Sequence, residues 1–218
     1  MPDKFTVVTP ELHRYIVRHG VRQDDVLRRL AEETAALGGV AVMQIAPEQA
    51  ALMTLLVRSI GAREAIEIGT FTGYSAISIA RGLRPGGKLL ACDVNEEWTA
   101  IARRYFHEAG LDDRIELRLG PAIDTLRSLS PEEQLDFAFI DADKTSYEAY
   151  YEEVLRRLRR GGLMVIDNVF FGGHVLDEAT TSESARAIHA LNVRITDDRR
   201  VDIAMVPVAD GITIVRKR

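Results

Sequence analysis

The chain has 218 residues, of which 46% are hydrophobic and 28% are charged, proportions typical of globular domains. Its 33 acidic residues exceed its 28 basic ones, and the net charge of −5 gives no basic excess for nucleic acid. The one cysteine, Cys92, excludes an internal disulfide and a cysteine-ligated metal site. We find no apolar run near the roughly 18 residues that a membrane span needs, and no signal peptide. We therefore expect a reduced, cytoplasmic protein of one domain, residues 1–218, with no membrane or nucleic-acid partner.

Residues 1–62 are predicted to form an N-terminal helical extension. The first helix begins with Thr9 as N-cap and Pro10 at the first helical position. A second helix is indicated over residues 24–37 by apolar residues at helical spacing, and a third begins near Pro47. We expect the third helix to bury Leu52, Leu55, Leu56 and Ile60.

From Glu64 onward, short apolar runs alternate with helical patterns. The runs AIEIG, KLLACD, IELRLG, LDFAFID and LMVIDN are predicted strands, and two more strands flank an Asp210-Gly211 hairpin turn. After the fourth strand, Thr145 and Glu148 have the spacing of a capping box at a helix start. This order predicts a doubly wound, mostly parallel α/β sheet with one antiparallel strand.

The first strand ends in a glycine-rich turn from Gly69 to Gly73 that leads into a helix. Such a turn suits a nucleotide, because glycine lets the backbone approach a ligand, although many α/β proteins carry one for structural reasons. A dinucleotide fingerprint would need glycine where Phe71 and Tyr74 stand, and no Gly-Lys-Ser/Thr phosphate loop follows. The turn therefore favours a nucleoside-like ligand without a pyrophosphate and disfavours a nicotinamide oxidoreductase.

The second and third strands also end in residues suited to a nucleoside. Asp93 lies 24 residues after Gly69, where a carboxylate accepts hydrogen bonds from ribose hydroxyls. An equally plausible reading is that Asp93 or Asn95 caps the next helix. The third strand ends at Gly120-Pro121-Ala122, whose small side chains admit a flat adenine.

Acidic residues follow the fourth and fifth strands. The fourth ends in Asp141, Asp143 and Lys144, and the fifth ends in Asp167 and Asn168. Because neighbouring strands lie about 4.8 Å apart, these side chains can converge. Their oxygens suit Mg²⁺ or Ca²⁺ rather than zinc, and three protein ligands leave room on Mg²⁺ for water and a chelating substrate. The alternative is that each aspartate caps a helix.

Taken in order, the segments EIGTFTGYS, Asp93, GPA, FIDADK and IDNVFFGG resemble the cation-dependent, S-adenosylmethionine-using O-methyltransferases. These comprise the catechol and caffeoyl-coenzyme A O-methyltransferases and their small bacterial relatives. The resemblance extends from MQIAPEQ to VADGITIVRKR, nearly the whole chain. It implies a Rossmann-like class I methyltransferase fold with a seven-stranded sheet, and a homodimer whose interface and active site both involve the N-terminal helices.

The resemblance also implies a role for each matched residue. S-adenosylmethionine would contact Met43, Ile45, Glu67, Gly69, Thr70, Ser75, Asp93, Ala122 and Asp143. Mg²⁺, or Ca²⁺ or Mn²⁺ in its place, would be bound by Asp141, Asp167 and Asn168. Lys144 matches the general base, and Asp141 and Lys144 are the expected catalytic residues. The alternatives are ordinary core packing for Met43 and a solvated position in the first helical turn for Lys144.

The chain departs from the plant coenzyme A-ester enzymes after the fifth strand. Phe171 replaces a tryptophan of that group, Gly172 replaces a substrate-contacting asparagine, and Ala209 stands where many members have glycine. These changes disfavour a bulky coenzyme A thioester and leave room for a smaller aromatic acceptor. We expect Phe170, Phe171 and the segment around Met43 to shape the acceptor pocket.

The sequence therefore predicts Mg²⁺-dependent methylation of one hydroxyl of a small catechol. One alternative is methylation of hydroxylated uridine in transfer RNA, which the negative net charge disfavours. Another is a non-catalytic S-adenosylmethionine-binding regulator, which would have little reason to keep Asp141, Lys144, Asp167 and Asn168 together.

Overall fold

The computed structural model describes residues 6–130, 134–177 and 179–218. Within these ranges, seven strands form one sheet in the order β3-β2-β1-β4-β5-β7-β6. All of them are parallel except β7, which pairs antiparallel with both β5 and β6. The strands are β1 (Glu64–Ile68), β2 (Lys88–Asp93), β3 (Ile115–Leu119), β4 (Leu135–Ile140), β5 (Leu158–Asp167), β6 (Val201–Val206) and β7 (Ile212–Lys217). The predicted doubly wound sheet with one antiparallel strand is confirmed.

Helices cover both faces of this sheet and precede it in the chain. They are α1 (Pro10–Gly20), α2 (Asp25–Ala35), α3 (Pro47–Ser59), α4 (Tyr74–Gly82), α5 (Glu96–Glu108), α6 (Ala122–Ser128), α7 (Tyr147–Arg157) and α8 (Glu183–Thr196). Short 3-10 segments span Gly38–Met43, Lys144–Ser146 and Phe171–Leu176. The N-terminal helices begin where their capping residues predict, because the Thr9 and Asp24 side chains accept hydrogen bonds from Leu12 N and Leu27 N. Residues 1–5 of the predicted extension lie outside the described residues.

The buried face of α3 differs from the prediction. Leu55 is 62% exposed, and the other three predicted residues, Leu52, Leu56 and Ile60, are only partly buried. The fully buried positions are Gln49, Ala50, Met53 and Val57. The difference arises because α3 packs on α4, where the Thr54 hydroxyl donates to the Ser78 carbonyl and Val57 lies against Gly82.

One stretch of the described residues, Gly38–Ser59, has the length and apolar composition to cross a membrane, contrary to our expectation that none approaches it. The structure breaks this stretch, because extended backbone at Gln44 and Ala46 separates the 3-10 segment from α3. A single stretch of this kind is weak evidence for a membrane span, since helices that pack on a protein core pass the same test. Ala50 and Met53 of this stretch pack in the core, as residues of such helices do.

The helix after β4 begins later than predicted, and Thr145 does not cap it. Ser146 N donates to the Asp143 carbonyl, which closes a 3-10 turn over residues 144–146, and α7 starts only at Tyr147. The apolar and aromatic residues predicted to be buried in α7 are buried, namely Tyr147, Tyr150, Tyr151, Val154 and Leu155, and Arg157 is buried as well. Leu158, placed in the helix by the sequence pattern, is instead the first residue of β5.

The central strand β4 aligns the edge at which the predicted site residues lie. Phe137 packs in the core on one side of the sheet and Ala138 in the core on the other, as an uninterrupted apolar run predicts. Ile140 is paired in register with Ile166 of β5, so Asp141 and Asp167 follow at adjacent positions. Two carboxylates are therefore brought to the same carboxyl edge of the sheet.

Candidate active site

A cavity of about 660 Å³ opens at the carboxyl edge of the sheet. The ends of β1, β2, β4 and β5 form its floor, and the segment from Val42 to Gln49 forms one wall. Predicted site residues that line the cavity are Met43, Ile45, Gly69, Thr70, Ser75, Asp93, Ala122, Asp141, Asp143, Lys144, Asp167 and Asn168. The remaining predicted residue, Glu67, is fully buried near the end of β1. The structure thus brings the predicted residues into one region.

The turn after β1 approaches the end of β4 so closely that only glycine fits at position 69. Gly69 has a φ of +92°, and a Cβ atom there would lie 1.8 Å from the carbonyl oxygen of Asp141. Gly73 has a φ of +94°, and a Cβ atom there would lie 2.7 Å from the Phe106 ring. These two glycines allow the turn to form one side of the cavity without side chains of its own at those points.

Asp93 holds this turn in place. Its Oδ2 accepts hydrogen bonds from Thr70 N at 2.9 Å and Phe71 N at 2.7 Å, and its Oδ1 accepts one from Asn95 N at 2.8 Å. Asn95, rather than Asp93, caps α5 by accepting from Trp98 N. Carboxylate oxygens have further lone pairs, so Asp93 keeps the capacity to accept from ribose hydroxyls, which stays a prediction.

Glu67 is a buried acid with unused hydrogen-bonding capacity. Neither of its carboxylate oxygens has a well-formed hydrogen bond among the described residues. Burial raises the pKa of Glu67 to about 8, and the nearby Ser75 and Thr70 side chains oppose the rise only in part. A buried acid in this state fits a ligand that brings a hydrogen-bond donor or a positive charge, as S-adenosylmethionine does.

The carboxylates of Asp141 and Asp167 lie close together at the ends of adjacent strands. Asp167 is 3% exposed, and burial together with the charge of Asp141 raises its pKa to about 7. The Gln49 amide opposes this rise, although its Nε2 makes no well-formed hydrogen bond in the part of the chain described. Two crowded carboxylates beside an amide oxygen fit a hard divalent cation.

The described ranges hold no group of three or more His, Cys, Asp or Glu side chains arranged for a metal ion. The predicted set needs no such group, because its third ligand is the amide of Asn168. Asn168 lines the cavity directly after Asp167, and its backbone N–H donates to Asp167 Oδ1 at 2.7 Å. The donor set is therefore two carboxylates and one carboxamide.

Lys144 is held beside these carboxylates rather than in solvent. Its Nζ donates to Asp141 Oδ1 at 2.9 Å and to the Tyr147 hydroxyl at 2.6 Å, and its side chain is only 14% exposed. Burial raises the pKa of the Tyr147 hydroxyl well above its usual value, so that hydroxyl stays protonated. The geometry does not match the alternative of a solvated lysine, and it directs one amine into the cavity.

Asp143 and Met43 lie on the cavity wall. The Tyr150 hydroxyl donates to Asp143 Oδ1 at 2.7 Å, which fixes one oxygen of that carboxylate. Met43 is 40% exposed, so ordinary core packing does not describe it. Contact of either residue with a methyl donor remains a prediction.

Backbone strain is concentrated around the cavity. In the described part of the chain, the non-glycine residues with positive φ are Phe71, Asn168, Phe171 and Ala209, and all of them line it. Non-glycine residues in this conformation cluster at functional sites, where the surrounding structure holds them. Phe171 contributes to the wall as expected, but Phe170 packs against Gly211 of the β6–β7 turn instead, which corrects its predicted place in the acceptor pocket.

Sequence reasoning missed several lining residues. Gln44 and Gln49 each have a buried side-chain atom without a partner among the described residues, and Asp210 reaches the cavity from the β6–β7 turn. Phe71 and Trp98 meet edge to face with ring centroids 5.1 Å apart. For Gln49, the available signal was a polar residue on the otherwise apolar buried face of α3.

A strand order of β3-β2-β1-β4-β5-β7-β6, with a glycine turn after β1 and an acid at the end of β2, defines a class of nucleoside-binding α/β enzymes to which methyltransferases belong. The O-methyltransferase family model matches residues 17–218. The chain therefore belongs to the O-methyltransferase family and is an S-adenosylmethionine-dependent O-methyltransferase.

Individual relatives agree with this assignment. The chain is 39% identical over 207 residues to probable caffeoyl-CoA O-methyltransferase 1 of Dictyostelium discoideum, covering 93% of this chain and 90% of the relative. It is 35% identical over 210 residues to catechol O-methyltransferase domain-containing protein 1 of Mus musculus, covering 94% and 79% respectively.

Two solved structures share the fold. The O-methyltransferase from Bacillus cereus in complex with S-adenosylhomocysteine is 32% identical, with a TM-score of 0.88 and coverage of 95% of this chain and 97% of that one. The O-methyltransferase TomG from Streptomyces achromogenes, in complex with S-adenosylmethionine, is 27% identical, with a TM-score of 0.88 and coverage of 95% and 96%.

Proposed function

We propose that this enzyme transfers a methyl group from S-adenosylmethionine to one hydroxyl of a catechol-type small molecule in a Mg²⁺-dependent reaction. The observation that carries the proposal is the pair of crowded carboxylates, Asp141 and Asp167, beside the buried amine of Lys144 in one cavity. Relatives named for caffeoyl-CoA and catechol substrates support a vicinal dihydroxy acceptor.

The bound partners would supply a sulfonium methyl group and a divalent charge that lowers the pKa of two adjacent hydroxyls. Asp141, Asp167 and Asn168 would hold the cation. The protein's own contribution is orientation, and alignment of this kind is worth about 7–11 kcal/mol of a barrier.

Lys144 is the proposed proton acceptor. The Tyr147 hydroxyl and Asp141 fix its Nζ at 2.6 and 2.9 Å, so the amine does not have to be ordered when the acceptor binds. In its unprotonated form this amine takes the proton from the hydroxyl that attacks the methyl group. Tyr147 itself stays protonated, because its pKa is raised by burial.

The acceptor side of the cavity favours a small, weakly charged aromatic molecule. Val42, Met43 and Phe171 contribute apolar side chains to the wall. Among the described lining residues, Lys144 is the one basic side chain, whereas a coenzyme A tail carries several negative charges. We therefore propose that free catechols are better acceptors than their coenzyme A esters.

The test is methyl transfer from S-adenosylmethionine to catechol, caffeic acid and caffeoyl-CoA, each with Mg²⁺ and then with EDTA. A monomethyl ether formed only with metal supports the proposal, and equal rates with EDTA overturn its metal requirement. A preference for caffeoyl-CoA over both free catechols overturns the assignment of acceptor size. If no catechol reacts while S-adenosylhomocysteine binds, hydroxylated uridine in transfer RNA becomes the acceptor to test.

We also propose that the enzyme is a homodimer with α1 at the interface. The structure describes every residue of α1, and none of them is buried in the single chain. Val7, Val8 and Tyr15 expose 69%, 52% and 61% of their surface. Light scattering should show a dimer for the wild type and a monomer for Tyr15→Glu. Val193→Glu, at a similarly exposed apolar site on α8, is the matched control. If Val193→Glu is a monomer and Tyr15→Glu remains a dimer, the interface lies on α8 and not on α1.

A further inference from the structure

Asp210, in the turn between β6 and β7, lines the cavity and has no role in the function proposed above. It makes three hydrogen bonds to the loop that follows β5. Its Oδ1 accepts from Gly172 N at 2.8 Å, its Oδ2 accepts from Asn168 Nδ2 at 3.4 Å, and its carbonyl oxygen accepts from Phe170 N at 3.0 Å. One residue of the hairpin therefore contacts the loop at its beginning, middle and end.

The loop needs such contacts because its backbone is strained. Asn168 has a φ of +56° and Phe171 a φ of +46°, conformations that persist only where neighbouring structure holds them. Gly211 packs so closely on the loop that a Cβ atom there would lie 2.5 Å from the Phe170 ring. On its other side, Asn192 of α8 donates to the Val169 carbonyl at 2.9 Å. The loop is thus clamped between the hairpin and α8.

The carboxylate of Asp210 also decides how the Asn168 amide is oriented. An asparagine presents a donor, Nδ2, at one side and an acceptor, Oδ1, at the other, and only the oxygen binds a metal cation. A carboxylate accepts hydrogen bonds and donates none, so Asp210 selects Nδ2 and leaves Oδ1 free. A partner of this kind behind a metal ligand fixes its orientation.

We propose that Asp210 is a positioning residue that presents Oδ1 of Asn168 to the divalent cation. The proposal rests on the metal site of the proposed function. It adds that a residue of the β6–β7 hairpin, 42 positions from Asn168, is needed for that site to bind its ion with full affinity.

The test measures binding of Mn²⁺ alone to the full chain, with the free ion quantified by electron paramagnetic resonance. Asp210→Ala should raise the Mn²⁺ dissociation constant by about 10- to 100-fold. Asp210→Asn should raise it less, because its amide oxygen still accepts from Asn168 in one orientation, and it serves if Asp210→Ala does not fold. Asp202→Ala is the matched control, since this aspartate lies on the same hairpin but pairs with Arg216 and Arg218 at the exposed edge.

The affinity for S-adenosylhomocysteine provides a readout that general loosening of the fold would change. Measured without metal, it should stay within about twofold of wild type in all three variants, since Asp210 acts on the metal ligand. Unchanged Mn²⁺ binding in Asp210→Ala, or an equal loss of both affinities, would overturn the proposal. The wild-type enzyme is measured first. If it binds no Mn²⁺, the metal site of the proposed function is itself overturned.

Measurements in an Asn168→Asp background distinguish orientation of the Asn168 amide by Asp210 from simple support of the loop. In Asn168→Asp, both side-chain atoms facing the cation and the hairpin are oxygens, so orientation no longer matters and the charge of Asp210 becomes repulsive. The double variant Asn168→Asp/Asp210→Ala should therefore bind Mn²⁺ at least as tightly as Asn168→Asp alone. If removing Asp210 costs the same affinity in both backgrounds, Asp210 only supports the loop and the proposal is wrong.

Discussion

Carboxylates at the two ends of the sheet differ in how many hydrogen-bond and ion-pair partners they have. At the amino end, Asp136 of β4 accepts hydrogen bonds from Arg63 N at 2.7 Å and Glu64 N at 2.9 Å, and it pairs with the Arg159 guanidinium. At the carboxyl end, Glu67 and Asp167 are more deeply buried but have fewer partners. Neighbouring strands of one sheet therefore carry Asp136, which has three such partners, and two acids that have fewer.

This contrast is expressed in the pKa values. Burial alone would raise the pKa of Asp136, but the backbone N–H groups and Arg159 outweigh it and hold the pKa below its usual value. Burial raises the pKa of Glu67 to about 8 and that of Asp167 to about 7. Completed bonds indicate a role in folding, and incomplete ones indicate a place for a ligand. The following substitutions test this division.

Asp141→Ala should have the largest effect on activity, because it removes a carboxylate from the crowded pair. We expect it to abolish metal-dependent turnover, while the S-adenosylhomocysteine affinity measured without metal and the free energy of unfolding change little. Calorimetry and urea unfolding measure the two retained properties. Asp124→Ala, at an exposed position in the first turn of α6, is the control. Full metal-dependent activity in Asp141→Ala would show that the carboxyl end does not need this acid.

Lys144→Ala should lower kcat by about 10²- to 10⁴-fold with a small change in KM, as the loss of a general base does. Lys88→Ala, which removes an exposed amine at the other end of the sheet, is the matched control. Initial rates over a range of acceptor concentrations separate the two constants. A raised KM with an unchanged kcat would assign Lys144 to acceptor binding alone.

Asp136→Ala should show the reverse pattern. Loss of this acceptor leaves two backbone N–H groups and Arg159 without their partner, at a cost of about 2–4 kcal/mol in the free energy of unfolding. Metal and S-adenosylhomocysteine affinities should stay near wild type, because the residue lies at the opposite end of the strand. Urea unfolding provides the measurement, and an unchanged midpoint would remove the contrast between the two ends.

The lowered pKa of Asp136 also predicts how the free energy of unfolding depends on pH. Because the folded pKa of Asp136 lies below the unfolded value of about 3.9, its contribution is complete above that value and is lost as the pH falls through the folded pKa. Asp136→Asn should therefore differ most from wild type near neutral pH and progressively less below about pH 4. Thermal unfolding from pH 3 to 7 tests this, and a constant difference would argue against it.

Glu67→Gln should have the smallest effect, a changed pH dependence of donor binding. With a pKa of about 8, Glu67 is mostly protonated at pH 7, and a cationic donor nearby favours the ionised form. Binding then releases a proton, so donor affinity should rise with pH and level off above about 8. Calorimetry in buffers of different ionisation enthalpy counts that proton. Proton release by Glu67→Gln equal to that of wild type would exclude Glu67 as its source.

The sequence predicts the floor of the site better than its walls. Gly69, Asp141 and Asp167 could be placed because parallel strands end at one edge and the residues at those ends are chemically distinctive. The buried face of α3 was misjudged, since several leucines on one helix permit more than one face and the position of α4 selects among them. Thr145 was misjudged because the Asp143 carbonyl closes a tighter turn than a capping box requires. For Asp210 the local signal indicated only a hairpin turn, because its partner Asn168 is distant in the chain.

The contact between Gly69 and the Asp141 carbonyl joins the turn proposed to bind the methyl donor directly to the proposed metal site. Asp141 N also donates to the Ile68 carbonyl at 2.8 Å, so a backbone hydrogen bond joins the same two segments. We expect occupancy of one half to alter the free energy of filling the other, and such coupling is reciprocal. Whatever factor S-adenosylhomocysteine applies to Mn²⁺ affinity, Mn²⁺ applies to S-adenosylhomocysteine affinity. We therefore expect the two halves of the proposed active site to behave as one thermodynamically linked unit, and the absence of a side chain at position 69 allows the contact on which that linkage depends.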